Sequence, residues 1–512
     1  MHTLKISLLH AEILHSRIRE NRSLITSLAA NAADAGARIV VAPEMCLSGY
    51  IFQDRMAIAP FVEAADGPSA DAFAKLAREK SVYLVAGFAE IDPANGVYYN
   101  SAFAWGPDGS LLARYRKVNA ESRWACPGPA VQQNAFDTPW GRFGLVICSD
   151  AYHSLPARTC ALRGARMLLI PANWPPTESF PENVWRFRAK ENGVWLAAAN
   201  RTGDEADFSC RACKSYVIDP QGNVAAELQN PGSGLLTYEI PLTPSGEVDG
   251  TPREAAMKTR RPWLHHRLYA NLAFFRDITE AFKLPKPGPT VLNLLSPGGQ
   301  DPAAFLEAGR ENIAPGSVSV LPLHAWTEEG IARLEAVARE RGASVVTALE
   351  EHWDDDGYEG DPLEPERIYL TVTPDGTERW PLSDDRPAPQ IHLGTLAVTP
   401  VRMRDLVHPE TALSAAKQGT DLLLAAEDTL GPDDGLTVSM RPIDQAVCAV
   451  CARDGSAVGL VPQGHSPGVG SSSRDGEWLT LTVDSVPLRN KRFQDRIDFE
   501  LLFAGTGNGP WE

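Results

Sequence analysis

Residues 38–44 read Arg-Ile-Val-Val-Ala-Pro-Glu, and this segment decides the class of fold that the chain adopts. The four apolar residues from Ile39 to Ala42 predict a short strand that ends at a proline and places Glu44 just beyond it. Residues 21–35 precede the strand with apolar side chains on one helical face, and Gly36 is a natural helix stop. Because helices and strands alternate in this way along the chain, we predict a layered α/β fold.

The second half of the chain repeats the order of segments found in the first half. The matches, in the same order, are residues 38–43 with 317–322, 81–86 with 343–348, 106–109 with 373–376, 163–169 with 418–424, and Arg188 with Arg441. An ordered set of matches of this kind predicts a duplicated domain. We therefore expect one domain at residues 1–283 and another at 291–512, joined by a proline-rich linker at 284–290.

Length and charge exclude several classes of protein. A chain of 512 residues has room for two to four domains. Its net charge of −17 argues against nucleic acid or an anionic membrane surface as a partner. No apolar run approaches the length of a membrane span, and residues 1–10 resemble a first strand more than a signal peptide. We therefore expect a cytoplasmic protein.

The eight cysteines predict free thiols in a reducing compartment. Two C-x-x-C pairs occur, Cys210 with Cys213 and Cys448 with Cys451, but they lie far apart in the sequence. A four-cysteine zinc site is an alternative that this arrangement does not indicate. We expect no metal and no cofactor.

Three polar residues, Glu44, Lys117 and Cys148, lie at or just after the ends of predicted strands. Loops at strand ends of layered α/β folds bring catalytic groups together. Each residue alone has a structural explanation, since free cysteines are mostly buried, glutamates cap loops and lysines lie in solvent. Arg188 and Glu191, on a predicted helix, are expected to form a structural ion pair.

Nearly all of residues 1–270 resemble the nitrilase, or carbon–nitrogen hydrolase, superfamily. The resemblance rests on an ordered set of segments: Pro43-Glu44, Gly49-Tyr50, Tyr115-Arg116-Lys117, Glu121 with Pro127-Gly128, Cys148-Ser149-Asp150, residues 171–175, residues 188–192, residues 200–203, and Ser215 with residues 219–222. It implies a four-layer αββα sandwich, here duplicated, with a Glu-Lys-Cys triad at Glu44, Lys117 and Cys148. It also suggests Glu121 as a second carboxylate in the site. The candidate substrate-binding residues are Tyr50, Asn173 and Trp174, and packing is the alternative for Trp174.

The chemistry explains why these residue types belong together. The thiolate is the nucleophile, yet a thiol is only slightly ionised near neutral pH. Glu44 would take the proton from Cys148 and later activate water, while the Lys117 ammonium would favour the thiolate and stabilise an oxyanion. Loss of ammonia or an amine would leave a thioester, which water converts to a carboxylic acid. Glu121 would position the substrate or Lys117.

The residues around the nucleophile favour one branch of the superfamily. Nitrile-hydrolysing members have Cys-Trp-Glu where this chain has Cys148-Ser149-Asp150, so the resemblance favours amidases and carbamoylases. The second half lacks a glycine-rich phosphate motif, which argues against an ATP-using synthetase. We predict an enzyme that cleaves a small-molecule, non-peptide amide or carbamoyl amide. The alternatives are acyl transfer to an amine, nitrile hydrolysis, and a non-enzymatic scaffold.

The second copy has different residues at the three triad positions. Counting from matched prolines and glycines places Leu323 at the position of Glu44, Asp384 at that of Lys117, and Met403 at that of Cys148. We therefore expect a degenerate nitrilase-like domain without the triad. Because family members commonly dimerise, the fused copy is expected to replace one subunit in an intramolecular pseudodimer. A further homo-oligomer stays open.

Overall fold

The computed structural model of this protein describes residues 2–175, 181–206, 208–269, 277–351, 366–431, 434–444, 447–452, 457–463, 466–473 and 476–489. The chain forms two compact units, and it passes from the first to the second between Arg260 and Arg261. Among the described helices, none is both long and apolar enough to cross a membrane.

The first unit contains two six-stranded sheets. In spatial order, one sheet consists of Gly234–Pro241, Thr3–His10, Ile39–Val41, Tyr83–Ile91, Tyr98–Trp105 and Leu111–Arg116. The other consists of Val224–Leu228, Ser215–Ile218, Trp195–Asn200, Ala165–Ala172, Gly141–Leu145 and Ala135–Thr138. A small hairpin, Asp204–Glu205 with Phe208–Ser209, follows the second sheet's strand at 195–200.

Helices cover the outer face of each sheet in the first unit. Ile18–Asp34 and Pro68–Lys80 pack on the first sheet through buried side chains that include Ile25, Phe73 and Leu84. Ser154–Leu162 and Pro181–Asn192 lie against the second sheet, and the inner faces of the two sheets contact one another. The layers are therefore α, β, β and α, as predicted. Shorter helices span Arg55–Ile58 and Thr251–Lys258.

The second unit has the same sheet topology. Its first sheet, in the same spatial order, consists of Glu477–Asp484, Pro289–Ser296, Val318–Leu323, Ser344–Glu351, Glu366–Thr373 and Gly376–Leu382. Its second sheet consists of Ser466–Ser473, Ala457–Gln463, Val447–Ala452, Leu422–Glu427, Leu396–Pro400 and Ile391–Leu393. The helices are Ile278–Ala281, Pro302–Ala308, Glu328–Arg341, Met403–Leu406, Pro409–Lys417, Asp434–Met440 and Ser485–Leu488. The fold is duplicated within one chain.

The hydrogen bonds of one buried arginine of the first unit recur at an equivalent arginine of the second unit. Arg188 pairs with Glu191 in the protein interior, and its guanidinium donates to the carbonyls of Ala151 and Tyr152 at 2.7 and 3.0 Å. In the second unit Arg441 donates to the carbonyls of Leu406 and Val407 at 2.6 and 3.0 Å. Each arginine joins the helix that carries it to the turn after the neighbouring strand.

The boundary between the units lies earlier than residues 284–290. The Leu284 side chain is buried, and a Cβ atom on Gly419 would lie only 2.5 Å from it. The Gly288 backbone N–H donates to the Ser485 hydroxyl at 3.0 Å, and Pro289 already belongs to a paired strand. The proline-rich segment therefore leads into the second unit's sheet instead of forming a free linker. The described residues from 261 to 269 and from 277 to 290 belong to the second unit.

Candidate active site

Glu44 is fully buried just after the strand Ile39–Val41. One carboxylate oxygen accepts hydrogen bonds from Lys117 Nζ and Asn100 Nδ2, both at 2.7 Å. The other accepts from the Asn173 backbone N–H at 3.0 Å. A Cβ atom on Gly87 would lie 3.0 Å from the Glu44 Cα, so the neighbouring strand needs glycine at this point. The carboxylate is held from three sides.

Lys117 follows the strand Leu111–Arg116, and its side chain lies between two carboxylates. The backbone N–H donates to the Asn100 carbonyl at 2.8 Å, which continues the strand pairing as far as the lysine. Its Nζ atom lies 2.7 Å from Glu44 and 2.5 Å from Glu121. The buried ammonium is therefore compensated by anions, as a charge in the protein interior requires.

Cys148 lies three residues beyond the end of the strand Gly141–Leu145 and begins the short 3₁₀ helix Cys148–Tyr152. Its φ of +41° is in the left-handed region, where a residue with a side chain is strained. The thiol is 4% exposed and lies within hydrogen-bond range of the Glu44 carboxylate and the Asn173 backbone N–H. Strained backbone of this kind is typical of functional positions. The structure thus brings all four candidate catalytic residues into one cluster.

The pKa values of the two carboxylates move in opposite directions. Burial raises the pKa of Glu44, and the nearby positive charge of Lys117 only partly opposes it. Burial also acts on Glu121, but attraction to Lys117 and hydrogen bonds from Lys117, Tyr50 and Asn100 outweigh it and lower the pKa. A pair of acids separated in this way can divide two tasks, with Glu44 exchanging protons and Glu121 staying an anion.

The lysine and the cysteine rest in their protonated forms. Burial by itself would lower the pKa of Lys117, but the charges of Glu121 and Glu44 reverse this effect and raise the pKa well above its ordinary value. Burial and the Glu44 charge raise the pKa of Cys148 well above the usual range, although Lys117 acts in the opposite direction. Cys148 therefore rests as a thiol, and a base would have to take its proton for it to act as a nucleophile.

The three candidate substrate-binding residues occupy different positions around this cluster. The Tyr50 hydroxyl donates to Glu121 at 2.6 Å. The backbone of Asn173 donates to Glu44, while its side-chain Nδ2 is buried without a hydrogen-bond partner. Trp174 is buried and packs between Tyr152 and Trp185, with ring centroids 4.4 and 5.5 Å away. Substrate contact by these residues stays a prediction.

Asn100 is a site residue that the sequence analysis missed. Its side-chain amide donates to Glu44 at 2.7 Å and to Glu121 at 3.0 Å, so it joins the two carboxylates. It lies in the strand Tyr98–Trp105, opposite Lys117. The sequence signal is one of two adjacent polar residues, Asn100 and Ser101, in a strand whose other residues are apolar or aromatic, and it is weak without the pairing register.

Asp150, the last residue of the segment Cys148-Ser149-Asp150, lies in the framework of the site. It is fully buried and accepts from the Tyr115 hydroxyl at 2.6 Å and from the backbone N–H groups of Val118 and Asn119 at 3.0 and 2.6 Å. Asp150 therefore ties the segment that carries Lys117 to the turn that carries Cys148.

Among the residues that the structure describes, no group of three or more His, Cys, Asp or Glu is arranged to hold a metal ion.

Glu205 holds the loop that carries Tyr50. It accepts from the backbone N–H groups of Tyr50 and Ile51 at 2.7 and 2.6 Å, and it pairs with Arg201. Gly49 has a φ of +78°, and a Cβ there would lie 2.9 Å from the Glu205 carboxylate. The glycine therefore lets the loop approach the acid closely.

The sequence of the first unit is similar to those of known proteins. Residues 5–248 match the family model of the carbon–nitrogen hydrolases. The chain is 32% identical over 266 residues to omega-amidase NIT2 of Mus musculus, a match that spans 48% of this chain and 92% of that protein. The chain belongs to the carbon–nitrogen hydrolase family. It is also 32% identical over 227 residues to a nitrilase of Pyrococcus abyssi, spanning 44% of this chain and 84% of that protein.

Two solved structures are similar to about half of this carbon–nitrogen hydrolase. Nit3 of Saccharomyces cerevisiae is 24% identical with a TM-score of 0.45, covering 51% of this chain and 96% of that chain. An amidase from Nesterenkonia sp. is 26% identical with a TM-score of 0.44, covering 51% of this chain and 95% of that chain.

The second unit of this carbon–nitrogen hydrolase has apolar residues at the positions of the first unit's charged cluster. Leu323 follows Pro322 as Glu44 follows Pro43. Met403 lies three residues after the strand Leu396–Pro400, as Cys148 does after Gly141–Leu145. Both side chains are buried. The strand register therefore agrees with the residue count at these two positions.

The third position is Leu382 and not Asp384. Asn100 lies opposite Lys117 in the first unit, and the equivalent strand position in the second unit is Arg367, which pairs with Leu382. The hairpin is shorter here. Ala113 follows its strand partner Ala104 by nine positions, whereas Glu378 follows its partner Thr371 by seven. A count without a gap therefore overshoots by two residues. Asp384 instead pairs with Arg261, Arg402 and Arg404.

A different ion pair occupies the region around these leucines. Arg367 donates to Glu427 at 2.6 Å and to Glu350 at 2.7 Å, and the other oxygen of Glu427 accepts from the Met403 backbone N–H at 2.8 Å. Burial by itself would lower the pKa of Arg367, but the charge of Glu427 and the hydrogen bonds of both glutamates raise it. The arrangement lacks a thiol at the Cys148 position.

Proposed function

We propose that this chain hydrolyses a small non-peptide amide through a thioester on Cys148, with Glu44 as the general base and acid. The observation that carries the proposal is the buried cluster in which Lys117 lies between Glu44 and Glu121, with the Cys148 thiol within reach of Glu44. Burying two acids and a lysine costs free energy, which a purely structural role would not require.

In the first half-reaction, Glu44 takes the proton of the Cys148 thiol as its sulfur attacks the carbonyl carbon. A carbon–sulfur bond forms and the carbonyl electron pair moves to the oxygen. The Lys117 ammonium stabilises this negative charge. The carbon–nitrogen bond then breaks, and protonated Glu44 gives its proton to the leaving ammonia or amine.

In the second half-reaction, Glu44 takes a proton from water, whose oxygen attacks the thioester carbon. The intermediate expels the Cys148 sulfur and releases a carboxylic acid, and the proton returns from Glu44 to the thiol. The raised pKa of Glu44 suits a group that alternates between base and acid near neutral pH. Glu121 stays ionised throughout and keeps Lys117 charged and in place.

An amide is favoured over a nitrile as substrate for two reasons. The residues after Cys148 are Ser149-Asp150, whereas nitrile-hydrolysing members of the superfamily have Trp-Glu there. Asp150 also has a framework role in this structure. One of the relatives at 32% identity is named an omega-amidase, although another is named a nitrilase. We infer that a carbamoyl amide is also within reach, since it presents the same carbonyl carbon and nitrogen leaving group.

The test is ammonia release from the full chain with a panel of short amides, carbamoyl amides and nitriles, followed by the intact mass of the protein after rapid acid quenching. We expect turnover of at least one amide and an acyl adduct that maps to Cys148. Cys148→Ala should abolish both, while Cys126→Ser, at an exposed cysteine, should change neither. Unchanged turnover in Cys148→Ala would exclude the mechanism. Addition of amine acceptors distinguishes acyl transfer from hydrolysis by the products formed.

We further propose that the second unit is a non-catalytic copy that stands in for a partner subunit. Its support is the shared topology together with Leu323, Leu382 and Met403 at the triad positions. A chain ending at Arg260, where the first unit ends, should then lose stability or activity relative to the full chain. Full amide turnover by such a truncated chain in solution would refute a supporting role.

A further inference from the structure

The C-x-x-C pair of the first unit lies beside the catalytic cluster and has no part in the proposed reaction. The Cys213 backbone N–H donates to the Cys210 carbonyl at 2.9 Å, which closes a tight turn. Both thiols are free and buried, and they are in contact with each other. A turn of this kind holds its end Cα atoms within about 7 Å, which is the range that a disulfide spans.

Each thiol also holds a residue next to the nucleophile. The Cys210 thiol donates to Asn173 Oδ1 at 3.6 Å, and the Cys213 thiol donates to the Trp174 carbonyl at 3.1 Å. The backbone N–H of Asn173 in turn contacts Glu44 and Cys148. The two cysteines therefore support the segment that positions the base and the nucleophile.

We propose that Cys210 and Cys213 are an oxidation site, at which a hydroperoxide converts the dithiol to an intramolecular disulfide and thereby slows the catalytic cluster. With hydrogen peroxide the two S–H bonds break, one S–S bond forms, and the two electrons reduce the O–O bond to give two water molecules. A disulfide has no S–H donor, so the hydrogen bonds to Asn173 and Trp174 are lost.

The second C-x-x-C pair provides an internal control. Cys448 and Cys451 lie in the strand Val447–Ala452. At about 3.3 Å of rise per residue, their Cα atoms are roughly 10 Å apart, which is too far for a disulfide. Two pairs with the same spacing in sequence therefore differ in the chemistry that their backbone allows.

The experiment treats the full chain with hydrogen peroxide, alkylates remaining thiols with iodoacetamide in denaturant, and maps tryptic peptides without reduction. Trypsin cuts at Arg211, between the two cysteines, so a disulfide links the two peptides on either side of the cut. We expect this linked species in the natural protein and in Cys148→Ala, and its loss on reduction with dithiothreitol. Cys448 and Cys451 should be recovered alkylated.

Either of two results would overturn the proposal. One is recovery of Cys210 and Cys213 in alkylated form at peroxide doses that already oxidise the exposed Cys126. The other is a link from either cysteine to Cys148 in place of the internal disulfide. This readout needs no substrate, so it is independent of the proposed function. Where an amide is turned over, ammonia release by the natural protein should fall on oxidation and recover on reduction. A Cys210→Ser variant cannot form the internal disulfide, so peroxide should remove a smaller fraction of its ammonia release.

Discussion

At the scale of single residues, the site depends on how four buried ionisable groups share their protons. Glu44 and Glu121 both contact Lys117, yet the pKa of Glu44 is raised and that of Glu121 is lowered. At Glu44 burial outweighs the attraction of Lys117, whereas at Glu121 the attraction of Lys117 and the hydrogen bonds from Lys117, Tyr50 and Asn100 outweigh burial. One acid is thus prepared to move protons and the other to remain charged.

Glu44→Gln should reduce amide turnover by about 10²–10⁴-fold, because the amide side chain has similar volume but cannot take the Cys148 proton. The measurement is kcat for ammonia release, with the rate of Cys148 alkylation by iodoacetamide as a second readout of thiolate formation. Glu63→Gln is the matched control, because Glu63 binds the Ser69 hydroxyl and backbone away from the cluster. Equal kcat values for the Glu44 variant and the natural protein would contradict the assignment.

The pH dependence should report the raised pKa of Glu44. Glu44 must be ionised to act as the base, so kcat/KM should rise with pH through a value above the ordinary glutamate pKa of about 4.3. The negative charge of Glu121 contributes to raising that pKa, so Glu121→Gln should move the acid limb to lower pH. The measurement is the pH profile of kcat/KM for both proteins. If the acid limb of the kcat/KM profile moved to higher pH in Glu121→Gln, the expected direction of the shift would be contradicted.

At the scale of the elements, buried polar groups join the strand ends into one rigid site. Asp150 connects the turn at Cys148 with the segment after the strand Leu111–Arg116 through three hydrogen bonds. The equivalent carboxylate of the second unit, Asp405, pairs instead with Arg261. The same framework position thus has different partners in the two copies.

Asp150→Asn should destabilise the protein by about 1–3 kcal/mol, because one backbone N–H or the Tyr115 hydroxyl would face an NH₂ group that cannot accept its hydrogen. Denaturant unfolding followed by tryptophan fluorescence measures the loss, and kcat should fall with it as Lys117 and Cys148 lose their common support. Asp137→Asn, at an exposed ion pair with Arg142, should have little effect. Identical midpoints for the Asp150 variant and the natural protein would refute the framework role.

At the scale of the whole molecule, one fold occurs twice, and in the part of the chain that the structure describes only the first copy has the cluster of Glu44, Lys117, Glu121 and Cys148. Shared strand order and the repeated contacts of Arg188 and Arg441 show that the architecture does not depend on Glu44, Lys117 and Cys148. In the second unit Leu323, Leu382 and Met403 are buried, and an arginine–glutamate pair lies nearby. A fold can therefore be retained while its chemistry changes.

Restoring a thiol to the second unit should not restore activity. In a Cys148→Ala background, Met403→Cys lacks the counterparts of Glu44 and Lys117, because Leu323 and Leu382 occupy those positions, and the nearby Glu427 is paired with Arg367. We expect no ammonia release from any amide that the natural protein turns over, and slow alkylation of the new cysteine by iodoacetamide. Detectable turnover by this double variant would show that the second unit retains catalytic machinery.

The sequence by itself determined the local features of this protein. Short apolar runs and the residues next to them predict the strand at Ile39–Ala42, the repeats, and the strand-end positions of Glu44, Lys117 and Cys148. Predicting these features needs no knowledge of distant contacts. Tertiary structure alone decided the role of Asn100, the equivalence of Leu382 with Lys117, the unit boundary at Arg260 and the contacts of Cys210 and Cys213. These features depend on which residues face each other across strands. That register is set by hairpin length and packing, and a difference of two residues in one turn is enough to change it.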